Sequence, residues 1–85
     1  MRLVLTPNGW ADCTHWLTAD RATLERINRL IDDALRDPFT GIGKPEPLRH
    51  MLAGCWSRRI SEEHRLVYLV EEDDLVILQA RFHYE

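Results

Sequence analysis

The spacing of apolar residues in the first half of the chain predicts one strand followed by a helix. The run RLVLT at positions 2–6 is rich in β-forming residues and ends at a Pro-Asn-Gly turn, which is typical of a short strand. Beyond this turn, four side chains recur at helical spacing: Trp10, Cys13, Thr14 and Leu17. Trp16 lies off that stripe, and we interpret it as a packing residue that could also occupy a subunit contact.

A second helix is predicted after Asp20, because aspartate commonly caps helix N-termini. Its apolar stripe has Arg and Asp residues on the opposite face and consists of Leu24, Ile27, Leu30, Ile31, Ala34 and Leu35. Pro38 is expected to end the helix. The segment PFTGIGKPEP (38–47) contains three prolines and two glycines and is predicted to be a loop.

The second half of the chain predicts an antiparallel meander. Three strand-like runs are separated by EE and EEDD: CWSRRIS (55–61), HRLVYLV (64–70) and LVILQARFHY (75–84). The order β-α-α-β-β-β predicts an α+β fold with two N-terminal helices packed on one face of a mainly antiparallel sheet. The chain has no repeat or linker, so residues 1–85 are expected to form a single domain.

Alternation along the last predicted strand separates an apolar face from a polar one. The apolar set is the expected core face and consists of Val76, Leu78, Ala80, Phe82 and Tyr84. Gln79, Arg81 and His83 lie on the other face, so His83 is expected to point away from the core. A wider cluster depends on hairpin register. If both loops are odd in length, or a bulge compensates an even one, one face carries Arg59, Arg65, Arg81 and His83.

Composition narrows the classes of protein that remain. The net charge of −3 does not favour unaided binding to nucleic acid, although residues 44–65 contain five Lys or Arg against three acids. Cys13 and Cys55 form no CxxC pair, which argues against a zinc site or disulfide framework and suits a reducing compartment. No apolar run reaches the roughly 18 residues of a membrane helix. The opening MRLVLTPNGW lacks a signal-peptide core, so the expected location is the cytoplasm.

The predicted cluster lacks only a carboxylate for acid–base chemistry, and the loop offers Glu46 for that role. Pro45 and Pro47 restrict the backbone on both sides of this residue. A carboxylate base, an imidazolium acid and a guanidinium are what transesterification of RNA requires, with no need for a metal. The base takes the proton of the ribose 2′-OH, whose oxygen attacks the adjacent phosphorus, and the acid protonates the departing 5′-oxygen.

Each of these residues also has an ordinary explanation. Glu46 can be a solvated loop residue, and His83 a partly packed residue near the terminus. Arg58 and Arg59 can be exposed charges that protect a strand. Arg65 can form a surface salt bridge with a neighbouring glutamate at position 62 or 63. Spacing alone favours these explanations over catalysis.

The residues themselves, however, resemble a known family. The segment GKPEPLRHMLAGCWSRRISEEHRLVYLV (43–70), together with RFHY near the end, closely resembles the YoeB (Txe) family of bacterial toxins, within the RelE-like superfamily. The resemblance covers nearly the whole chain. It implies a fold like that of microbial RNases and the toxin role in a type II toxin–antitoxin system. The implied activity is that of an mRNA interferase, an endoribonuclease that enters the ribosomal A site and cuts the mRNA there.

The resemblance also implies roles for particular residues. Glu46 would be the general base and His83 the general acid, while Arg65 would stabilise the phosphorane and Tyr84 would shape the site. Four basic residues would hold RNA phosphates: Lys44, Arg49, Arg59 and Arg81. The implied partners are the ribosome, its mRNA, a second copy of the toxin and a cognate YefM- or Axe-like antitoxin. No cofactor, metal or membrane is implied.

Other functions remain open on the sequence. The main alternative is a ribosome- or RNA-binding module that blocks translation without cutting, which would need the basic face but not the proposed roles of Glu46 and His83. A ribonuclease that acts independently of the ribosome is another. An inactive antitoxin-binding relic is a further one, which the presence of Glu46, Arg65 and His83 disfavours.

Overall fold

The computed structural model describes residues 1–83, in which two helices cover one face of a five-stranded sheet. The strands are β1 (Arg2–Leu5), β2 (Glu46–Pro47), β3 (Trp56–Arg59), β4 (Arg65–Glu71) and β5 (Asp74–Gln79). The helices are α1 (Pro7–Ala19) and α2 (Arg21–Arg36). The strand order is β1-β5-β4-β3-β2, with β1 parallel to β5 and every other pair antiparallel. The predicted α+β class is confirmed.

Side-chain caps define where both helices begin. The hydroxyl of Thr6 accepts a hydrogen bond from the backbone N–H of Gly9 at 3.1 Å, which starts α1 directly after β1. The carboxylate of Asp20 accepts from the second and third residues of α2, as predicted. Helix α2 ends at Arg36, two residues before Pro38. Both helices of the first half were therefore predicted, but the predicted turn at Pro7, Asn8 and Gly9 is wrong, because these residues form the first turn of α1 after the Thr6 cap.

The main core lies between the helices and the sheet. It contains residues of the predicted stripe of α2 and alternate residues of β4 and β5: Ile27, Leu30, Ile31, Ala34, Leu66, Tyr68, Leu75 and Ile77. Trp16 is also part of this core, and its Nε1 donates to the carbonyl of Ala80 at 2.8 Å. The interpretation of Trp16 as a packing residue is confirmed, because α1 turns this side chain toward the sheet. Trp10 is instead 61% exposed.

The core parity predicted for the last strand is wrong for Val76 and Leu78 but correct for Ala80, which is fully buried in the main core. Leu75 and Ile77 face the helices and are fully buried, whereas Leu78 packs on the opposite face. The sequence prediction failed because the ladder contains a bulge: Tyr68 pairs with Ile77 and the preceding Val67 pairs with Gln79. Leu78 is left as the extra residue, and the alternation shifts by one position.

The same strand ends earlier than predicted. β5 stops at Gln79, which pairs with Val67, so Arg65 and Leu66 at the start of β4 have no ladder partner in β5. Phe82, expected in the core, is 57% exposed and has a φ of +64°. Tyr84 lies outside the described residues.

Hairpin register supports part of the predicted cluster. Arg59 lies directly opposite Arg65 across the odd loop 60–64. The second loop, 72–73, is even, and the bulge restores the parity, as the prediction required. Arg81 and His83 follow the end of β5, so strand alternation no longer determines their direction.

The buried position of Arg58 corrects another expectation. Its side chain was predicted to be an exposed strand charge, yet it is fully buried on the helix side of the sheet. Nε donates to the hydroxyl of Tyr68 at 2.9 Å, and Nη1 donates to the Asp33 carboxylate at 2.6 Å. The remaining acceptors are backbone carbonyls of the loop after α2, at 2.8 to 3.0 Å: Asp37, Thr40 and Ile42.

These contacts determine the path of the loop 37–43. The N–H of Ile42 donates to Asp33 at 2.9 Å, and the Tyr68 hydroxyl donates to the carbonyl of Pro38 at 2.7 Å. Gly41 has a φ of +123°, and a Cβ there would collide with the Asp33 carboxylate. The loop therefore wraps closely around one buried ion pair.

Replacing Tyr68 with Phe should destabilise the protein by about 1–3 kcal/mol, because it leaves the buried Arg58 Nε and the Pro38 carbonyl without a partner. Urea unfolding followed by circular dichroism measures this change. Thr18→Val removes a hydroxyl from the exposed face of α1 and serves as the control, with an expected effect within about 0.5 kcal/mol. Equal destabilisation by the two changes would contradict the importance of the Arg58 contacts.

The stability of the fold should also depend on acid through Asp33. The hydrogen bond from Arg58, followed by that from the Ile42 N–H, holds the pKa of Asp33 below its ordinary 3.8. Ionised Asp33 therefore stabilises the native state above that pH, and the contribution is lost as pH falls through the lower native pKa. Asp33→Asn should decline in unfolding free energy less steeply than wild type as the pH falls below about 4. Parallel slopes in urea titrations would refute this assignment.

Candidate functional site

The sheet register brings three of the predicted site residues onto the face opposite the helices. Glu46 pairs with Ser57, and Arg59 lies two residues further along β3, directly opposite Arg65. Cross-strand partners and residues two apart on a strand share a face. We call this surface, which carries Glu46, Arg59 and Arg65, the open face.

A two-residue strand places Glu46 at the edge of the open face. The sequence predicted only a loop here, because proline and glycine outweigh any strand signal at positions 38–47. In the structure, Pro47 lies opposite Trp56, and the N–H of Leu48 donates to the carbonyl of Cys55 at 2.9 Å. These contacts dock the segment on β3 and leave the Glu46 residue exposed.

The basic residues around Glu46 come from both sides of β2. The N–H of Arg59 donates to the carbonyl of Gly43 at 2.7 Å, which brings the exposed Lys44 next to the end of β3. The segment 46–52, which begins with β2, lines a surface recess of about 570 Å³. Arg49 is an exposed member of that lining. Lys44, Arg49 and Arg59 are therefore all available at the surface near Glu46.

Beneath the recess, a second apolar cluster supports the open face. It consists of Leu48, Cys55 and Val67, with three partly buried leucines packed against them: Leu52, Leu69 and Leu78. Burial raises the pKa of the Cys55 thiol above its ordinary 9.0. The cluster anchors both ends of the segment that lines the recess.

Arg65 lies deeper than the other predicted phosphate-contacting residues. Only 8% of it is exposed, and its Nη1 donates to the carbonyls of Ser61, Glu62 and His64 at 2.5 to 3.1 Å. The ion pairs within residues 1–83 do not join Arg65 to either neighbouring glutamate, so the salt-bridge explanation is wrong. Through these hydrogen bonds, the guanidinium instead stabilises the loop 60–64.

His83 follows a segment that is hydrogen-bonded to β4. The N–H of Arg65 donates to the carbonyl of Phe82 at 3.0 Å, which brings the following residue, the exposed His83, to the Arg65 end of β4. The guanidinium of Arg81 lies 4.4 Å from the centre of the Phe82 ring. Tyr84, the remaining predicted site residue, lies outside the described residues.

Two structural roles near these residues were missed by sequence reasoning. Arg58 shares strand parity with Trp56 and Ile60, and this alternation could have placed it on the helix side. His64 accepts a hydrogen bond from the N–H of Phe82 through Nδ1 at 2.8 Å. No sequence pattern signals that contact, because it joins residues from two different elements.

Within residues 1–83, no group of three or more His, Cys, Asp or Glu side chains is arranged to hold a metal ion. Neither helix in that part of the chain is long and apolar enough to span a bilayer. Among the described residues, register places a carboxylate, Glu46, and two arginines, Arg59 and Arg65, on the open face.

The match to a sequence model identifies the family. The model of YoeB-like toxins of bacterial type II toxin–antitoxin systems matches residues 5–84. The chain belongs to this family. Toxin YoeB of Streptomyces coelicolor is 58% identical over 84 residues, which cover 99% of this chain and 100% of the relative. Toxin YoeB of Escherichia coli K12 is 51% identical with the same coverage.

Solved structures of YoeB-like toxins have the same fold. The YoeB/ParE toxin from Agrobacterium tumefaciens, 50% identical, superimposes with a TM-score of 0.96 over 99% of this chain and 100% of that one. The YoeB dimer from Staphylococcus aureus gives 0.90 at 35% identity, and the YoeB–YefM complex from that organism gives 0.89 at 34%. Both cover 99% of this chain and 98% of their own. The predicted family and fold are confirmed.

Removal of the Arg65 guanidinium should loosen the loop 60–64. In Arg65→Leu, three backbone carbonyls lose their donor, so amide exchange at Ser61 and His64 should accelerate by about 5–30-fold, equivalent to 1–2 kcal/mol. Hydrogen–deuterium exchange read by NMR measures it. Arg59→Leu, at the facing position, is the matched control and should leave these amides unchanged. Equal acceleration in both variants would contradict this role of Arg65.

Proposed function

We propose that this YoeB-like toxin is a ribosome-dependent endoribonuclease that cleaves mRNA in the ribosomal A site and thereby inhibits translation. The observation that carries the proposal is the register that puts Glu46, Arg59 and Arg65 together on the sheet face opposite the helices. It is supported by the hydrogen bond that places His83 beside the start of β4.

In the proposed reaction, Glu46 begins the chemistry as general base. Its carboxylate takes the proton of the ribose 2′-OH, and the resulting oxygen attacks the adjacent phosphorus. The imidazolium of His83 protonates the departing 5′-oxygen. The products are a 2′,3′-cyclic phosphate and a free 5′-hydroxyl. Glu46 gains one proton and His83 loses one, so the two transfers balance.

Arg65 would stabilise the negative charge that develops on the phosphorane oxygens. Its Nη1 is engaged with the loop 60–64, so contact with the phosphate would come from Nε and Nη2. A guanidinium held in place before the reaction needs little reorganisation in the transition state, which is where electrostatic stabilisation is most effective. Tyr84 would complete the shape of the site.

Four basic residues would hold the flanking phosphates of the mRNA. Lys44, Arg49 and Arg59 are exposed and lie near Glu46, and the half-buried Arg81 lies two residues before His83. With a net charge of −3, the protein would gain little from long-range attraction to RNA. A ribosome that presents a positioned codon supplies the orientation that free RNA lacks.

The proposed partners outside the ribosome are an antitoxin and a second copy of the toxin. Relatives from Staphylococcus aureus form a YoeB–YefM complex and a YoeB dimer. We propose that a cognate YefM- or Axe-like antitoxin masks the open face of this toxin in the cytoplasm. The predicted domain, residues 1–85, would then act as a homodimer after its release.

Mapping of 5′ ends on a defined mRNA tests the proposal. The mRNA is presented both on programmed ribosomes and free in solution. Wild type should cut only the A-site codon. Glu46→Gln and His83→Gln should each lower the cleavage rate by about 10²–10⁴-fold, because each removes one proton-transfer group. Glu71→Gln, an exposed carboxamide substitution at the end of β4, is the matched control and should cut as wild type does.

The other outcomes separate the competing functions. Arrested ribosomes with intact mRNA would establish a non-cleaving translation inhibitor and remove the catalytic roles of Glu46 and His83. Equal cutting of free and ribosome-bound mRNA would establish a ribonuclease that does not depend on the ribosome. Ribosome binding by both inactive variants, measured by sedimentation, should remain close to that of wild type.

A further inference from the structure

The residue directly before His83 has an unusual backbone conformation. Phe82 has a φ of +64°, in the left-handed region that bulky residues rarely adopt. Its ring is largely exposed, so burial of the side chain does not account for this conformation. The conformation sets the direction in which the chain continues into His83, and it must be held by contacts of the Phe82 backbone.

Three hydrogen bonds hold that backbone. The Phe82 N–H donates to Nδ1 of His64 at 2.8 Å, and the Phe82 carbonyl accepts from the Arg65 N–H at 3.0 Å. The same carbonyl accepts from Nε2 of Gln79 at 3.2 Å. The Arg65 donor is main chain and would survive any ordinary substitution. Of the two side chains involved, only His64 accepts the Phe82 N–H.

His64 is itself held by one contact of its ring and one of its backbone. It packs edge-on against Trp16, with ring centres 4.8 Å apart, and its backbone N–H donates to the Ser61 hydroxyl at 3.2 Å. Trp16 is buried and is hydrogen-bonded to the Ala80 carbonyl through Nε1. The N–H of Ala80 in turn donates to the Asp12 carboxylate at 3.0 Å. Helix α1 thus holds both the ring and the start of the segment that the ring binds.

We propose that His64 is a positioning residue for His83: its Nδ1 accepts the Phe82 N–H, holds the left-handed turn and so directs His83 toward the scissile phosphate. This inference rests on the proposed function. Only an unprotonated Nδ1 can accept, so the proton of the neutral ring lies on Nε2. His64 acts through the Phe82 backbone and takes no proton from the substrate.

The proposal separates two properties of His64, its acceptor atom and its ring. Asparagine and leucine are close to each other in size, but only asparagine carries an oxygen that can reach the position of Nδ1. Phenylalanine keeps a ring against Trp16 and has no acceptor. His64→Asn, His64→Leu and His64→Phe therefore test the acceptor and the ring independently.

Steady-state cleavage of mRNA on programmed ribosomes, with kcat and KM measured for each variant, is the decisive experiment. His64→Leu and His64→Phe should lose about 10²-fold in kcat with little change in KM, because a misplacement of about 1 Å in a catalytic group has that effect. His64→Asn should retain most of the wild-type kcat. Equal rates for the Asn and Leu variants would overturn the proposal, and so would full activity of the Phe variant.

If one of the variants folds poorly, an NMR measurement of the Phe82 amide tests the hydrogen bond in the variant that folds. In ¹⁵N-labelled protein, the Phe82 amide proton should move upfield in His64→Leu or His64→Phe, whichever folds, and should stay near its wild-type shift in His64→Asn. An unmoved Phe82 amide in a folded variant without the acceptor would overturn the proposal.

Wild type and His83→Gln are run beside these variants. If wild type does not cut, the proposed function fails and the positioning role fails with it. If wild type cuts and only His83→Gln is impaired, the ribonuclease function stands and the role of His64 alone is refuted.

Discussion

The buried guanidinium of Arg58 is the interaction on which most of the structure depends. A charge removed from water is stable only when it is paired and its donors are satisfied. Here a carboxylate from α2, a hydroxyl from β4 and carbonyls of the loop 37–43 supply the acceptors. One side chain of β3 thereby joins a helix, two strands and a loop that has no ladder of its own.

This arrangement has a direct consequence for the candidate site. The loop around Arg58 leads into Lys44 and Glu46, and its last carbonyl before them is hydrogen-bonded to Arg59. Glu46 therefore follows a segment whose backbone is held by buried, charge-assisted hydrogen bonds, which are stronger than neutral ones. Glu46 thus follows an irregular loop, but the hydrogen bonds from Arg58 that hold this loop are buried.

The opposite side of the site is built differently. His83 follows a left-handed residue, Phe82, whose N–H donates to His64 and whose carbonyl accepts from Arg65 N–H and Gln79 near the surface. Exposed hydrogen bonds of this kind are each worth little and open more easily than buried ones. The segments that carry the two proposed proton-transfer groups are therefore held differently. Buried hydrogen bonds hold the loop before Glu46, whereas a few exposed hydrogen bonds hold the residue before His83.

Local patterns in the sequence were sufficient for the two helices, the Asp20 cap and the α+β class, since these follow from periodicity and short-range chemistry. The Arg59–Arg65 pair remained conditional on the hairpin register, which the structure supplied. Only the tertiary structure decided the bulge that reversed the core face of β5, the strand at Glu46 and the burial of Arg58. It also decided the contact between His64 and Phe82. Each depends on which partner another element supplies. The position of a bulge and the burial of a charged side chain cannot be predicted from local sequence, because both depend on groups that are distant in the chain.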